Sequence, residues 1–213
     1  MPTTAGRFIT FEGADGCGKS TQTARFVDAL KREGIEVLHL REPGGTKTSE
    51  AIRELLLNPA STVSPLCELL LFEASRAQLV TEVIEPTLKR GMWVVCDRFL
   101  DSTSAYQRSG RNLDAKLVEE ANKIGSNGLV PDVTFVFDLP VAEALRRATH
   151  GGSDRMEGEG EAFQENVRQG FLQIARENPN RCEIIDAGGS KEEVFSRVLK
   201  AAAQHGITLS EDR

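Results

Sequence analysis

Short runs of apolar and β-branched residues alternate along the chain with stretches whose apolar positions recur every three or four residues. Five compact runs, at 7–12, 35–40, 92–97, 132–138 and 182–186, read as strands. Each is mostly apolar and bounded by Gly, Pro or charge, as expected of a strand covered on both faces. Between the first two, residues 20–32 place Ala24, Val27 and Leu30 on one helical stripe, with Gly34 as the stop. The longest helical stretch opens with Ser64 as N-cap and Pro65 in the first turn, and runs through Leu69, Leu70, Phe72 and Leu79. Pro86 is expected to kink or end it. Residues 114–124 read as a helix stopped by Gly125, another helix follows Pro140, and a third spans 162–177. The last opens with Ser190 and Glu193, spaced as a capping box, and carries Val194, Val198 and Leu199.

Strand–helix alternation repeated this often predicts an α/β fold, a parallel sheet covered by helices on both faces. No internal repeat or linker interrupts it, so one domain is expected over the 213 residues. A composition of 39% hydrophobic and 27% charged residues is ordinary for a globular protein. The formal charge of −6 argues against a dedicated nucleic-acid binder but leaves room for a small anion held by a local Lys/Arg cluster. No apolar run approaches the ~20 residues that cross a bilayer, and residues 1–6 show no secretory signal. The four cysteines, Cys17, Cys67, Cys96 and Cys182, form no C-x-x-C pair. Free thiols in a reducing cytoplasm are therefore expected. Residues 150–160 hold four glycines among polar and charged residues, which fits either a loose surface loop or a mobile lid.

Gly13-Ala14-Asp15-Gly16-Cys17-Gly18-Lys19-Ser20 matches G-x-x-x-x-G-K-[ST], directly after an expected strand and at the start of an expected helix. Glycines there let backbone N–H groups curl around phosphate oxygens, and the helix N-terminus adds positive potential. Lys19 is placed to reach the β/γ-phosphates of a nucleotide such as ATP, and the Ser20 hydroxyl to ligate Mg²⁺. A loop of this kind identifies a nucleotide and not a reaction. A guanine-reading N-K-x-D would favour a GTPase switch, but Asn122-Lys123-Ile124-Gly125 fails at its last position.

Arg41-Glu42-Pro43-Gly44-Gly45-Thr46 follows the second strand and Asp97-Arg98-Phe99 ends the third, so both lie at the carboxyl edge of the sheet, where open α/β folds bind ligands. Asp97 is positioned as the acid beside Mg²⁺. Arg41 and Arg98 are natural phosphate donors, and Arg98 is suited to stabilise a transferring phosphoryl group. One such arginine alone would be a surface ion pair; two at successive strand ends beside a phosphate loop favour a second phosphate.

In these motifs, together with Leu71-Phe72-Glu73-Ala74-Ser75-Arg76 and the run from Asp97 to Gln107 that contains Ser102 and Tyr106, the chain resembles the thymidylate kinases of the bacterial type. The resemblance extends from Arg7 to about Lys200. It implies a P-loop NTPase fold with a five-stranded parallel sheet and a short lid at about 146–160, and the reaction ATP + dTMP → ADP + dTDP with Mg²⁺, in a homodimer. It also implies that Phe72 stacks on thymine and Arg76 donates to the base O4. By the same resemblance Tyr106 closes against the sugar, Asp15 accepts from the 3′-OH, Gln107 and Ser102 line the base pocket, and Arg41 and Arg98 hold the acceptor phosphate. On periodicity alone, Phe72 would instead belong to the helix-packing core.

Bacterial relatives draw catalytic arginines from the lid, and here that segment is thin in cations. Arg155 is the candidate, with Arg147 second, while Thr149 and His150 stand where relatives are often basic. A kinase for another small acceptor is the nearest rival reading, and a nucleotide-driven switch or ATPase is the rival from another class.

Overall fold

Successive side chains of a strand point to opposite faces, and β1 (Phe8–Gly13) shows why its sheet must be covered twice. Ile9 and Phe11 join an apolar cluster with Phe26, Leu30 and Val198, whereas Phe8 joins a separate one with Leu79, Val80, Ile84 and Phe99. The computed structural model describes residues 6–148, 155 and 159–210. Among them, β1, β2 (Val37–Arg41), β3 (Trp93–Asp97), β4 (Val133–Asp138) and β5 (Cys182–Asp186) form one parallel sheet in the order β2-β3-β1-β4-β5. All five expected strands are present, with ends displaced by at most two residues.

Helices α1 (Lys19–Arg32) and α9 (Lys191–Gln204) cover the Ile9/Phe11 face. The box at the start of α9 closes as its spacing implies, with Ser190 and Glu193 each accepting from the other's backbone. The opposite face is covered by α3 (Pro65–Leu79), a π-helical segment (Val80–Ile84), a second π-helical segment (Ser104–Gly110) and α8 (Glu161–Glu177). Helix α6 (Ala115–Gly125) packs outside α3, and α7 (Val141–Ala148) follows β4. No helix among the described residues is long and apolar enough to cross a membrane.

Three departures from the expected elements have physical causes. Pro86 does not end the long helical run. The π segment shifts the hydrogen-bond register just before it, so Pro86 falls in the first turn of α4 (Glu85–Lys89), where no N–H is needed. Helix α2 (Lys47–Leu57) has no counterpart in the sequence reading, because its first turn is polar and only Ser49 and Leu56 are buried; Thr46 caps it by accepting from the Ser49 N–H. Residues 100–110 are helical as well, as short α5 (Leu100–Thr103) followed by the second π segment.

The register aligns the strand ends that matter. Arg41 of β2 lies level with Asp97 of β3, and Asp97 level with Phe11 of β1. The loop after β1 therefore opens beside Asp97 and Arg41 at one carboxyl edge.

Candidate active site

The loop from Gly13 to Lys19 turns tightly between β1 and α1. Gly16 sits at φ 77° with a side chain excluded by the Ala144 carbonyl, and Gly18, at φ 89°, is the N-cap of α1. Lys19 is buried, its Nζ donating to the Ala14 carbonyl at 3.4 Å and lying 3.6 Å from Asp15 Oδ1. The Ser20 hydroxyl donates to Asp97 Oδ2, while Asp97 Oδ1 is buried with no partner among the described residues. Two oxygen ligands, one of them unsatisfied, suit a hard cation that takes its remaining ligands from phosphate and water. Cys17 is buried in the same loop and burial pushes its thiol up, which disfavours the reactive thiolate.

Arg98 is the hub of the site. Its φ of 73° is a conformation that a non-glycine residue adopts at a cost. The Arg98 N–H donates to the Phe11 carbonyl at 2.9 Å, and the next N–H, of Phe99, donates to Glu12 Oε1 at 2.7 Å, so the turn is pinned from both sides. The guanidinium donates to the Gly13 carbonyl (3.1 Å), Ser102 Oγ (3.0 Å), Tyr106 Oη (3.3 Å) and Asp15 Oδ1. Tyr106 Oη in turn donates to Asp15 Oδ2 at 2.7 Å. Burial would raise the Asp15 carboxyl, but the charges of Arg98 and Lys19 and hydrogen bonds from Tyr106 and Arg98 hold it well below the usual range.

Glu12, beneath this hub, also accepts from Ser102 Oγ at 2.6 Å. Burial, and then the Asp101 carboxylate, push its carboxyl up from 4.5 to about 8, against the lowering effects of Ser102, Arg98 and the Phe99 N–H. The folded state thus holds this proton more tightly than the unfolded chain. Its stabilising contribution is complete below pH 4.5 and is lost as the pH rises through about 8. Glu12→Gln is expected to flatten the fall in Tm across that interval, and a fall as steep as that of the parent protein would contradict the assignment.

A cavity of about 240 Å³ joins these groups to a second set. Asp15, Lys19, Ser20, Asp97 and Arg98 line it, together with Arg41, Phe72, Arg76, Ser102, Tyr106 and Gln107. Phe72 is half-buried and faces this cavity, outside the apolar clusters that a core role would place it in. Arg41 stands at the rim, paired with Glu50 at 3.0 Å and donating to the Pro43 carbonyl. Arg76 is only 2% exposed and stacks over Phe99, with the ring centroid 5.1 Å from Cζ. Its guanidinium pairs with Glu42 (Nη2, 2.8 Å; Nε, 2.9 Å) and Glu73, and Nη1 also donates to Asn122 Oδ1 at 3.1 Å. Hydrogen bonds thus engage Nε and both N–H groups of Nη1, and Nη2 is held by its ion pair with Glu42.

Arg155, the candidate lid cation, is not brought to the phosphate loop. Its Nε donates to the Leu56 carbonyl at 2.8 Å, and Nη2 pairs with Glu68 at 2.6 Å, because a fully buried carboxylate there attracts any cation within reach. Arg147 is also occupied, donating to the Ala187 carbonyl at 3.1 Å and pairing with Glu143 at 2.6 Å. Thr149, His150 and most of the proposed lid lie outside the described residues. Sequence reasoning missed Thr103, whose buried Oγ1 has no partner among the described residues and whose side chain lines the cavity. It also missed Glu12 and Glu42, which act from beneath the surface. Thr103 and Glu42 stood within quoted motifs and could have been singled out; Glu12 showed only as the last residue of a strand.

The family model for thymidylate kinase matches residues 11–198. The thymidylate kinase of Chlorobaculum tepidum is 48% identical over 203 residues, covering 91% of this chain and 95% of that protein. That of Caulobacter vibrioides is 45% identical, covering 94% of this chain and 98% of the relative. Among solved structures, the thymidylate kinase of Ehrlichia chaffeensis superposes with a TM-score of 0.77 at 35% identity, covering 92% of this chain and 98% of that one.

Proposed function

Since the chain belongs to the thymidylate kinase family, and so to the nucleoside monophosphate kinases, we propose that it transfers the γ-phosphoryl group of ATP to dTMP, giving ADP and dTDP for dTTP synthesis. The observation that carries this reading is the single cavity in which Lys19, Ser20 and Asp97 meet Phe72, Arg76, Tyr106 and Gln107. A switch or simple ATPase has no need of the second set.

The attacking oxygen belongs to a phosphate that is already anionic near neutral pH, so the reaction requires no strong general base. What it requires is the close, in-line approach of two anions. Lys19 holds the β/γ-phosphates at the start of α1, with the Gly13–Ser20 backbone around them. Arg98 lies between donor and acceptor phosphates, and its contacts to Asp15, Gly13 and Ser102 fix its position before the substrates arrive. Arg41 meets the acceptor phosphate from the rim. Ser20 and Asp97 hold Mg²⁺, which when bound neutralises charge on the phosphate oxygens. Phe72 stacks on the base, Arg76 offers an Nη2 N–H to O4, and Ser102 and Gln107 border the ring. Asp15 accepts from the 3′-OH, while Tyr106 occupies the space a 2′-hydroxyl would need. Arg155, committed to Glu68, belongs to the frame of the acceptor side rather than to the transferring phosphate.

The same resemblance motivates a homodimer. Leu55 on α2, Leu66 and Leu70 on α3, and Leu117 and Ile124 on α6 leave an exposed apolar surface across three neighbouring helices, suited to a second copy.

Acceptor dependence tests the reading. ADP release from ATP is expected to be fast with dTMP, slower with dUMP, and weak with dCMP, UMP and AMP. Equal release with and without an acceptor would contradict it.

A further inference from the structure

Glu68 stands in the first turn of α3 with a carboxylate that is 0% exposed, and the reaction scheme above gives it no part. Side chains from three places converge on it. Gln107 Nε2 donates to Oε1 at 2.9 Å, Arg111 donates to Oε1 (3.0 Å) and Oε2 (3.1 Å), and Arg155 Nη2 pairs with Oε2 at 2.6 Å. Burial raises the carboxyl, but the hydrogen bonds and charge of Arg111, with Gln107 and Arg155, outweigh burial and leave it below its ordinary value.

An ionised carboxylate accepts hydrogen bonds and cannot donate them. Gln107 must therefore turn its amide nitrogen towards Glu68, which directs the carbonyl oxygen elsewhere along a side chain that lines the cavity. Among the described residues no group donates to that oxygen. Gln107 is 1% exposed, so flipping the amide would set a buried carbonyl against a buried carboxylate. Helix α3 also carries Phe72 and Arg76 at four and eight residues beyond Glu68, on the same face. The cavity lining therefore includes a donor, Arg76, and an acceptor, Gln107 Oε1, beside the hydroxyls of Ser102 and Thr103.

We propose that Glu68 is a specificity-determining positioning residue: by fixing the Gln107 amide it makes the cavity present an acceptor, which selects a pyrimidine protonated at N3 and rejects one whose N3 is a bare acceptor. Thymine and uracil meet the pair with an N3–H and an O4. Cytosine meets it with N3 and an amino group, mismatched at both positions. The proposal rests on the reading that this cavity takes the acceptor nucleotide.

The test is kcat/KM for dTMP and for dCMP in the parent enzyme and in Glu68→Gln. A neutral amide can donate as well as accept, so Gln107 is released to turn, and the dTMP-to-dCMP ratio is expected to fall by about tenfold or more. In a Gln107→Leu background, which should itself lower the ratio, adding Glu68→Gln is expected to change it no further. A folded Glu68→Gln enzyme that loses activity equally on both acceptors, with its ratio unchanged, overturns the proposal, as does a further fall in the Gln107→Leu background. Should Glu68→Gln not fold, Gln107→Leu still decides, because an unchanged ratio in that variant overturns the proposal. A parent enzyme without acceptor-dependent turnover would overturn the reading of the cavity itself, and this proposal with it; a parent that prefers dTMP beside variants that keep its ratio would overturn this proposal alone.

Discussion

Lys19→Ala is expected to lower kcat by roughly a hundred- to a thousandfold, the effect of removing one preorganised donor from developing negative charge. The fold should survive the change. Among the described residues Lys19 Nζ makes only a long hydrogen bond to the Ala14 carbonyl and a 3.6 Å approach to Asp15, and Asp15 keeps Arg98 and Tyr106 as partners. Initial rates with ATP and dTMP, taken beside a thermal melt, separate the two effects. A variant that keeps most of its turnover would remove Lys19 from the chemistry, and one that unfolds would show that the loop needs Lys19 to close.

Arg76→Ala is expected to act on stability first and on base choice second. The family resemblance implies a place for Arg76 in a base pocket, where alanine should simply relax the preference for thymine. The structure makes it the sole cation described between two buried carboxylates, Glu42 and Glu73, which are 5% and 6% exposed. Removing one partner from a buried ionic cluster typically costs about 3–5 kcal/mol, a large share of the ~5–15 kcal/mol that holds most domains folded. Burial already pushes Glu42 up to about 7, with Glu73 adding to it, even while Arg76 opposes the rise. Without Arg76 the Glu42 carboxylate gains further from protonation, so the loss should be smaller in acid than above neutrality. Denaturant unfolding of parent and variant at pH values on either side of neutrality measures this. A loss of stability near zero, or one that grows in acid, would contradict the role assigned to Arg76.

These two residues also show what was legible in the sequence. Lys19 belongs to a local motif, bracketed by a strand and a helix, and eight consecutive residues were enough to place it. The central strands β1, β3 and β4 were legible for a similar reason, since burial on both faces leaves a mostly apolar run, whereas the edge strands β2 and β5 are only partly buried and departed from that expectation. Arg76 was legible as a contributor to the cavity but not as an ionic hub. Glu42 lies 34 residues away in sequence and Asn122 lies 46 away, and nothing local joins them. Asn122 drew notice only as the start of a guanine-reading motif that fails; its place is against Arg76, Ser104 and the Leu100 carbonyl. Arg155 was chosen for its position in a glycine-rich segment, and the buried charge of Glu68 that captures it cannot be inferred from spacing. Glu12 looked like the last residue of a strand, and only the pleat, which turns it away from the Phe11 face, reveals that it braces Arg98 from below.

The central claim is that one cavity brings two nucleotides together so that phosphate is passed between them and kept from water. Phosphorus NMR of the protein with ATP, Mg²⁺ and dTMP follows both fates in one sample. The expected result is dTDP and ADP growing in equal amounts, with inorganic phosphate at background. ADP accompanied by an equal amount of inorganic phosphate, with no dTDP, would contradict the claim.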